Sequence, residues 1–118
     1  MKILIVDDAK YIVKAFKDTL KIYGFRVEDA RNGEEALEKY KKLNPELVIM
    51  DILMPKLDGV SATKKIVGYD PEAKIIVVTA VNKFGLEEEC INAGAKAFIR
   101  KPFKLKELLN TVEKTLSD

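Results

Sequence analysis

Short apolar runs alternate along the chain with stretches whose apolar residues recur every three or four positions. Four runs bounded by polar or turn residues, Ile3 to Val6, Leu47 to Met50, Ile75 to Val78 and the weaker Ala97 to Ile99, read as buried strands. A fifth segment, Arg26 to Ala30, alternates apolar with polar residues and is expected at a sheet edge. The intervening segments carry helical stripes: Ile12, Val13, Phe16 and Leu20, then Ala36, Leu37, Tyr40 and Leu43, then Ala62, Thr63, Ile66 and Val67, then Leu86, Cys90 and Ala93. The last stripe is the clearest, with Leu105, Leu108, Leu109, Val112 and Leu116 on one side and Lys106, Glu107, Glu113 and Lys114 off it. Gly24 and Gly94 stand where left-handed helix caps are wanted, and Pro45 and Pro71 fall just after two other helical stretches.

Strand followed by helix, five times over, implies right-handed crossovers onto one parallel sheet with helices on both faces, a three-layer α/β domain. The 118 residues suit one domain spanning residues 1–118, and no internal repeat, linker or low-complexity segment interrupts it. Hydrophobic residues at 47% supply enough apolar material for a core, which sets disorder aside, and charged residues at 34% give solubility. The net charge of +2 is too slight to make a nucleic-acid backbone the expected partner. No apolar run approaches the roughly 20 residues of a membrane span, and Asp7-Asp8 cut the first run too short for a signal peptide. The single Cys90 fits a reducing cytoplasm and reads as a small apolar residue on a helix face. With no histidine in the chain, histidine metal sites and serine or cysteine triads are excluded.

In open parallel sheets, sites form beyond the carboxyl ends of the strands. The residues there are Asp7-Asp8, Asp51, Thr79-Ala80 and Arg100-Lys101-Pro102. If the first strand and the strand ending at Met50 are neighbours, about 4.8 Å apart, three carboxylates converge on one small space. Like charges at about 4 Å repel by roughly 4 kcal/mol at an effective dielectric of 20, so the cluster calls for a cation. Oxygen ligands without sulfur or imidazole favour Mg²⁺ over zinc. An acidic pocket with a hydroxyl (Thr79) and an ammonium (Lys101) suits phosphoryl transfer, and a carboxylate can be the nucleophile, with Asp51 the best candidate. Each group also has a plainer reading: Asp7-Asp8 as helix N-caps, Thr79 as a strand-end residue, Lys101 as a solvated surface lysine, and Gly59 as the glycine that lets the loop after Pro55 turn into the next helix.

Ile3-Leu4-Ile5-Val6-Asp7-Asp8, Asp51-Ile52-Leu53-Met54-Pro55-Lys56-Leu57-Asp58-Gly59, Thr79-Ala80 and Lys101-Pro102 stand in register along the whole chain. Together they resemble the receiver domain of two-component response regulators, of the stand-alone CheY-like type. The resemblance implies a flavodoxin-like (βα)5 three-layer sandwich whose five parallel strands run in the order 2-1-3-4-5. It further implies Asp51 as phosphoacceptor, Asp7 and Asp8 with Asp51 and the backbone carbonyl of Leu53 as Mg²⁺ ligands, and Thr79 as the switch hydroxyl. Lys101 is then the lysine that pairs with the phosphoryl group, Phe98 the switch aromatic, and Lys101-Pro102 a cis bond. The implied partners are a histidine kinase, which supplies the phosphohistidine this chain lacks, and a downstream effector protein. The first reading of that effector is a flagellar motor or chemotaxis component, with a phosphotransfer protein as the other; the alternatives to a chemotaxis role are a phosphorelay intermediate and a receiver domain cut from a larger transcriptional regulator. A cytoplasmic monomer that promotes only its own phosphorylation and dephosphorylation is expected, with no nucleic-acid or membrane contact.

Departures from the family pattern carry information. Leu53 and Val81 occupy positions often polar in such proteins, and neither can hold an attacking water, so slow loss of phosphate is expected. Phe98 lacks a tyrosine hydroxyl. Lys83, Lys96, Lys104 and Lys106 fall on the implied output face formed by the fourth helix, fifth strand and fifth helix, which would suit an acidic partner. A phosphatase of the haloacid dehalogenase type would need an aspartate where Leu53 stands. A flavin or dinucleotide binder would need a Gly-x-Gly-x-x-Gly loop, and Asp7-Asp8-Ala9-Lys10 would repel a phosphate instead. A receiver that only scaffolds remains open.

Overall fold

The computed structural model describes residues 1–53 and 58–118. The turn expected after Pro55 lies outside the described residues. Five strands, β1 (Lys2–Val6), β2 (Arg26–Ala30), β3 (Leu47–Met50), β4 (Ile75–Thr79) and β5 (Ala97–Arg100), alternate with five helices, α1 (Lys10–Ile22), α2 (Gly33–Leu43), α3 (Gly59–Tyr69), α4 (Leu86–Ala93) and α5 (Leu105–Ser117). The strands pair in parallel in the order β2-β1-β3-β4-β5. The alternating segment is an edge strand, as its polar positions require, and the other edge is β5.

The period-two direction of strand side chains splits the core into two layers. Leu4, Val6, Val48, Met50, Ile75 and Val77 pack with Ala36 and Tyr40 of α2, Ala62 and Ile66 of α3, and Cys90 of α4. Ile3, Ile5, Leu47, Ile49, Ile76 and Val78 pack with Val13 and Leu20 of α1 and with Leu108 and Val112 of α5. Helices therefore cover both faces; β3 and β4 are buried throughout, and β1 is buried from Ile3 onward.

Leu105 departs from its expected stripe and is 48% exposed. As the first residue of α5 it has no preceding turn to pack beside, and the buried Thr115 completes the inner face at the other end. Gly24 and Gly94 adopt the left-handed conformation expected of them, with φ of 89° and 116°. Two helix starts are fixed by side chains: Asn32 accepts from the Glu35 N–H, and Asp58 accepts from Val60 and Ser61 N–H groups.

Candidate functional site

The register of the sheet assembles the site. Val6 pairs with Met50, so the residues that follow, Asp7 and Asp51, leave adjacent strands side by side. The ladder extends into both: Asp51 N–H donates to the Val6 carbonyl at 2.9 Å, and Asp7 N–H donates to the Ala30 carbonyl at 3.0 Å. Asp7 is buried, Asp8 is exposed and Asp51 is half-buried. One carboxylate oxygen from each of Asp7, Asp8 and Asp51 lies within 4.8 Å of the other two. The convergence expected from the sequence is thus present.

Asp7 is not a helix cap. The N-cap of α1 is Ala9, which has no side chain to serve, and Asp7 Oδ1 accepts from the Ala9 N–H at 2.9 Å. That leaves Asp7 Oδ2, which faces Lys101 Nζ at 3.6 Å. Lys101 follows β5, its backbone N–H donates to the Thr79 carbonyl at 2.8 Å, and its bond to Pro102 is cis. Asp51 Oδ1 accepts from the Ile52 N–H at 2.8 Å. Its carboxyl is pushed up from 3.8 to about 6, first by burial and next by the Asp7 charge, while Lys101 and the Ile52 N–H pull the other way. Three acidic side chains in a half-buried space with one ammonium leave the cluster short of positive charge, and its hard oxygen donors fit a small divalent cation.

Thr79 is fully buried at the end of β4, and its Oγ1 accepts from the Val81 N–H at 3.0 Å. The strand-end reading of this residue therefore holds, and the hydroxyl keeps its own proton to donate elsewhere. Phe98, in register with Val77, is half-buried against the core layer that contains Val77. Leu53, whose carbonyl the resemblance implies as a ligand, has a side chain 68% exposed. Lys83, Lys96, Lys104 and Lys106 are all exposed. Their face is of mixed sign, since Lys83 pairs with Glu89 at 3.4 Å and Glu87, Glu88 and Glu107 lie among them.

Gly59 has a different role from the one its sequence context suggests. It is already helical, and its backbone does not use the left-handed region. Its N–H donates to the Ile52 carbonyl at 3.0 Å, and a Cβ there would fall onto the Asp51 carbonyl and within 2.8 Å of Ile52 Cα. Glycine is needed because α3 begins in contact with the backbone that carries Asp51. A lone glycine after an aspartate reads the same whether it serves a turn or a close approach, so the sequence held no signal for this. Arg100, named only as a strand-end residue beside Lys101, donates to the Val81 carbonyl, a contact that the sequence did not signal.

The geometry agrees with one family above others, and residues 3–113 match the response regulator receiver domain. The chain belongs to that family. This receiver domain is similar to the chemotaxis protein CheY of Thermotoga maritima, with 47% identity over 117 residues, covering 96% of this chain and 98% of that protein. It is also similar to CheY of Bacillus subtilis, with 45% identity covering 98% of each. Among solved structures, a chain of the CheX-CheY-BeF3-Mg complex from Borrelia burgdorferi matches with a TM-score of 0.91 and 38% identity, over 97% of this chain and 87% of that one. A CheY-like receiver domain protein from Methanospirillum hungatei matches with a TM-score of 0.94 and 33% identity, over 98% of this chain and 93% of that one. The receiver domain is thus a phosphoacceptor switch of the CheY type. Among the described residues, no helix is long and apolar enough to cross a membrane.

Proposed function

We propose that Asp51 is the phosphoacceptor of this switch and that residues 1–118 form one receiver domain acting in the cytoplasm as a monomer. The observation that carries the assignment is the meeting of the Asp7, Asp8 and Asp51 carboxylates beside Lys101. A carboxyl at about 6 is about nine-tenths ionised at neutral pH, yet it is more basic than an ordinary aspartate and so a better nucleophile. An Asp51 oxygen attacks the phosphorus of a phosphohistidine on a partner kinase, the P–N bond breaks in line, and the departing imidazole takes a proton from water. Asp7, Asp8 and Asp51 with the Leu53 carbonyl would hold Mg²⁺, which when bound neutralises charge on the phosphoryl oxygens. Lys101 exchanges part of its attraction to Asp7 for the new phosphoryl oxygens, Thr79 turns its hydroxyl toward one of them, and Phe98 moves into the space that opens.

These movements shift a two-state equilibrium in the surface of α4, β5 and α5. The similarity to chemotaxis proteins over the full chain supports a chemotaxis or flagellar component as the recipient, reached by protein contact. The domain promotes only its own phosphorylation and dephosphorylation. A small acyl-phosphate donor with Mg²⁺ should add one phosphoryl group, seen by intact mass. The same addition to Asp51→Ala, or no magnesium uptake at millimolar levels, refutes the assignment.

A further inference from the structure

Arg100 ends β5 in register with Thr79 across the ladder. No step of the chemistry uses it, yet it touches both parts of the switch that have to move. Its Nη1 donates to the Val81 carbonyl at 2.8 Å and reaches Asn82 Oδ1 at 3.5 Å. Its guanidinium carbon also lies 5.4 Å from the centroid of the Phe98 ring. Val81 is in turn tied to Thr79, whose hydroxyl accepts the Val81 N–H. The contacts form one continuous path from the Thr79 hydroxyl through Val81 and Arg100 to the Phe98 ring.

A planar guanidinium can bond a carbonyl in its plane while its face lies on an aromatic ring, which a point-charge ammonium cannot do equally well. Thr79 leaves the Val81 N–H when it turns to a phosphoryl oxygen, and that frees the loop between β4 and α4. Phe98 leaves the guanidinium when it rotates inward. Both motions are opposed by the same side chain.

We propose that Arg100 is a positioning residue that latches the β4–α4 loop and Phe98 in the resting arrangement, and so sets how readily the site closes on a phosphoryl group. The proposal rests on the roles given above to Asp51, Thr79 and Phe98. Releasing the latch raises the fraction of molecules competent to bind, and apparent affinity rises by the same factor. The expected factor is about five, equivalent to about 1 kcal/mol at 1.4 kcal/mol per decade. The sign is diagnostic: loss of a positive charge near an anion site would by itself weaken anion binding, so tightening cannot come from electrostatics.

The test titrates the full chain with beryllofluoride at saturating Mg²⁺, following backbone amide resonances, for the original protein, Arg100→Ala and Arg100→Lys. Arg100→Ala should bind about five-fold tighter, and Arg100→Lys, which keeps the charge but not the fork, should fall between the two. Unchanged or weaker binding by a folded Arg100→Ala overturns the latch, and should that variant not fold, no tightening in Arg100→Lys does so. Hydrogen exchange of the Val81 amide in metal-free protein gives a second readout that needs no phosphoryl chemistry: about five-fold faster exchange in Arg100→Ala and a smaller rise in Arg100→Lys are expected, and no change counts against the latch. Failure of the original protein to bind beryllofluoride would refute the Asp51 assignment instead, with the exchange measurement still deciding on Arg100.

Discussion

Replacing Asp51 with asparagine removes one of three clustered negative charges and leaves the side chain's shape and its acceptor for the Ile52 N–H in place. In the folded protein the Asp51 carboxyl sits at about 6 against an ordinary 3.8. At 1.36 kcal/mol per pH unit that displacement caps the cost of ionising Asp51 on folding at about 3 kcal/mol. Solvent reaches the half-buried carboxyl and screens it, which reduces the expected figure to about 1 kcal/mol. For an acid whose folded value is raised, the cost is complete above about 6 and absent below 3.8, so stability falls as pH rises through this window. Without metal at pH 7.5, Asp51→Asn should therefore be more stable by about 1 kcal/mol, or about 4 °C in Tm for a domain of this size. At pH 4.5 the advantage should shrink to about a third of that, because the unfolded chain is mostly ionised there while the folded carboxyl is protonated. Urea unfolding followed by circular dichroism, in chelator at both pH values, measures the difference. Millimolar Mg²⁺ should then stabilise the original protein more than the variant, since the variant offers one charged ligand fewer. A variant no more stable than its parent at pH 7.5, or a gain equal at the two pH values, would show that the carboxylates do not strain one another.

Three further outcomes follow, one for side chains beside the site and two for glycines of α3. Leu53 and Val81 offer no hydrogen bond to water, so the phosphorylated form should be long-lived, and the double change Leu53→Asn with Val81→Glu should speed phosphate loss about ten-fold by placing polar groups for an attacking water; equal decay of labelled protein would refute this. Gly59→Ala should cost about 2 kcal/mol or more because its Cβ meets backbone that cannot yield. Gly68→Ala in the same helix, with no atom within 4 Å of the new carbon, should gain up to about 1 kcal/mol. Urea midpoints that move in the same direction for both would contradict the close-approach account of Gly59.

The fold was legible because fully buried parallel strands leave continuous apolar runs, as at Leu47–Met50, while a half-exposed edge strand leaves an alternation, as at Arg26–Ala30, and both segments coincide with their elements. The ends that differ are set by neighbours. Thr79 and Arg100 belong to β4 and β5 because they pair with each other, and neither is apolar enough to extend a run. The carboxylate cluster was legible for a related reason: a charge at the end of an apolar run needs a partner, and Asp7 and Asp51 end adjacent runs. Asn32 and Asp58, which the sequence reading did not single out as N-caps, each cap a helix start. Gly59 lay within a family motif and Arg100 beside a strand end, yet neither pattern revealed its contact, because that contact is with backbone distant in sequence, at Asp51 and at Val81.

The magnitudes explain why the switch spreads over several residues. Driving a two-state equilibrium from 1:99 to 99:1 takes about 5.5 kcal/mol of differential stabilisation, whereas a hydrogen bond to a charged group contributes roughly 1.5 to 3 kcal/mol. The Thr79 hydroxyl alone cannot supply the shift. In the proposed mechanism the new phosphoryl charges would also draw on Lys101 and on a cation that the three carboxylates could hold, and the repulsion already present at Asp51 means that bringing in a cation would relieve a cost the resting protein carries. In the proposed switch, Phe98 would add the burial of a partly exposed ring, and Arg100 would oppose the sum from outside the site. In such an arrangement the resting contacts subtract from what phosphorylation delivers. The position of the equilibrium can then be tuned at Arg100 without altering any atom that meets the phosphoryl group.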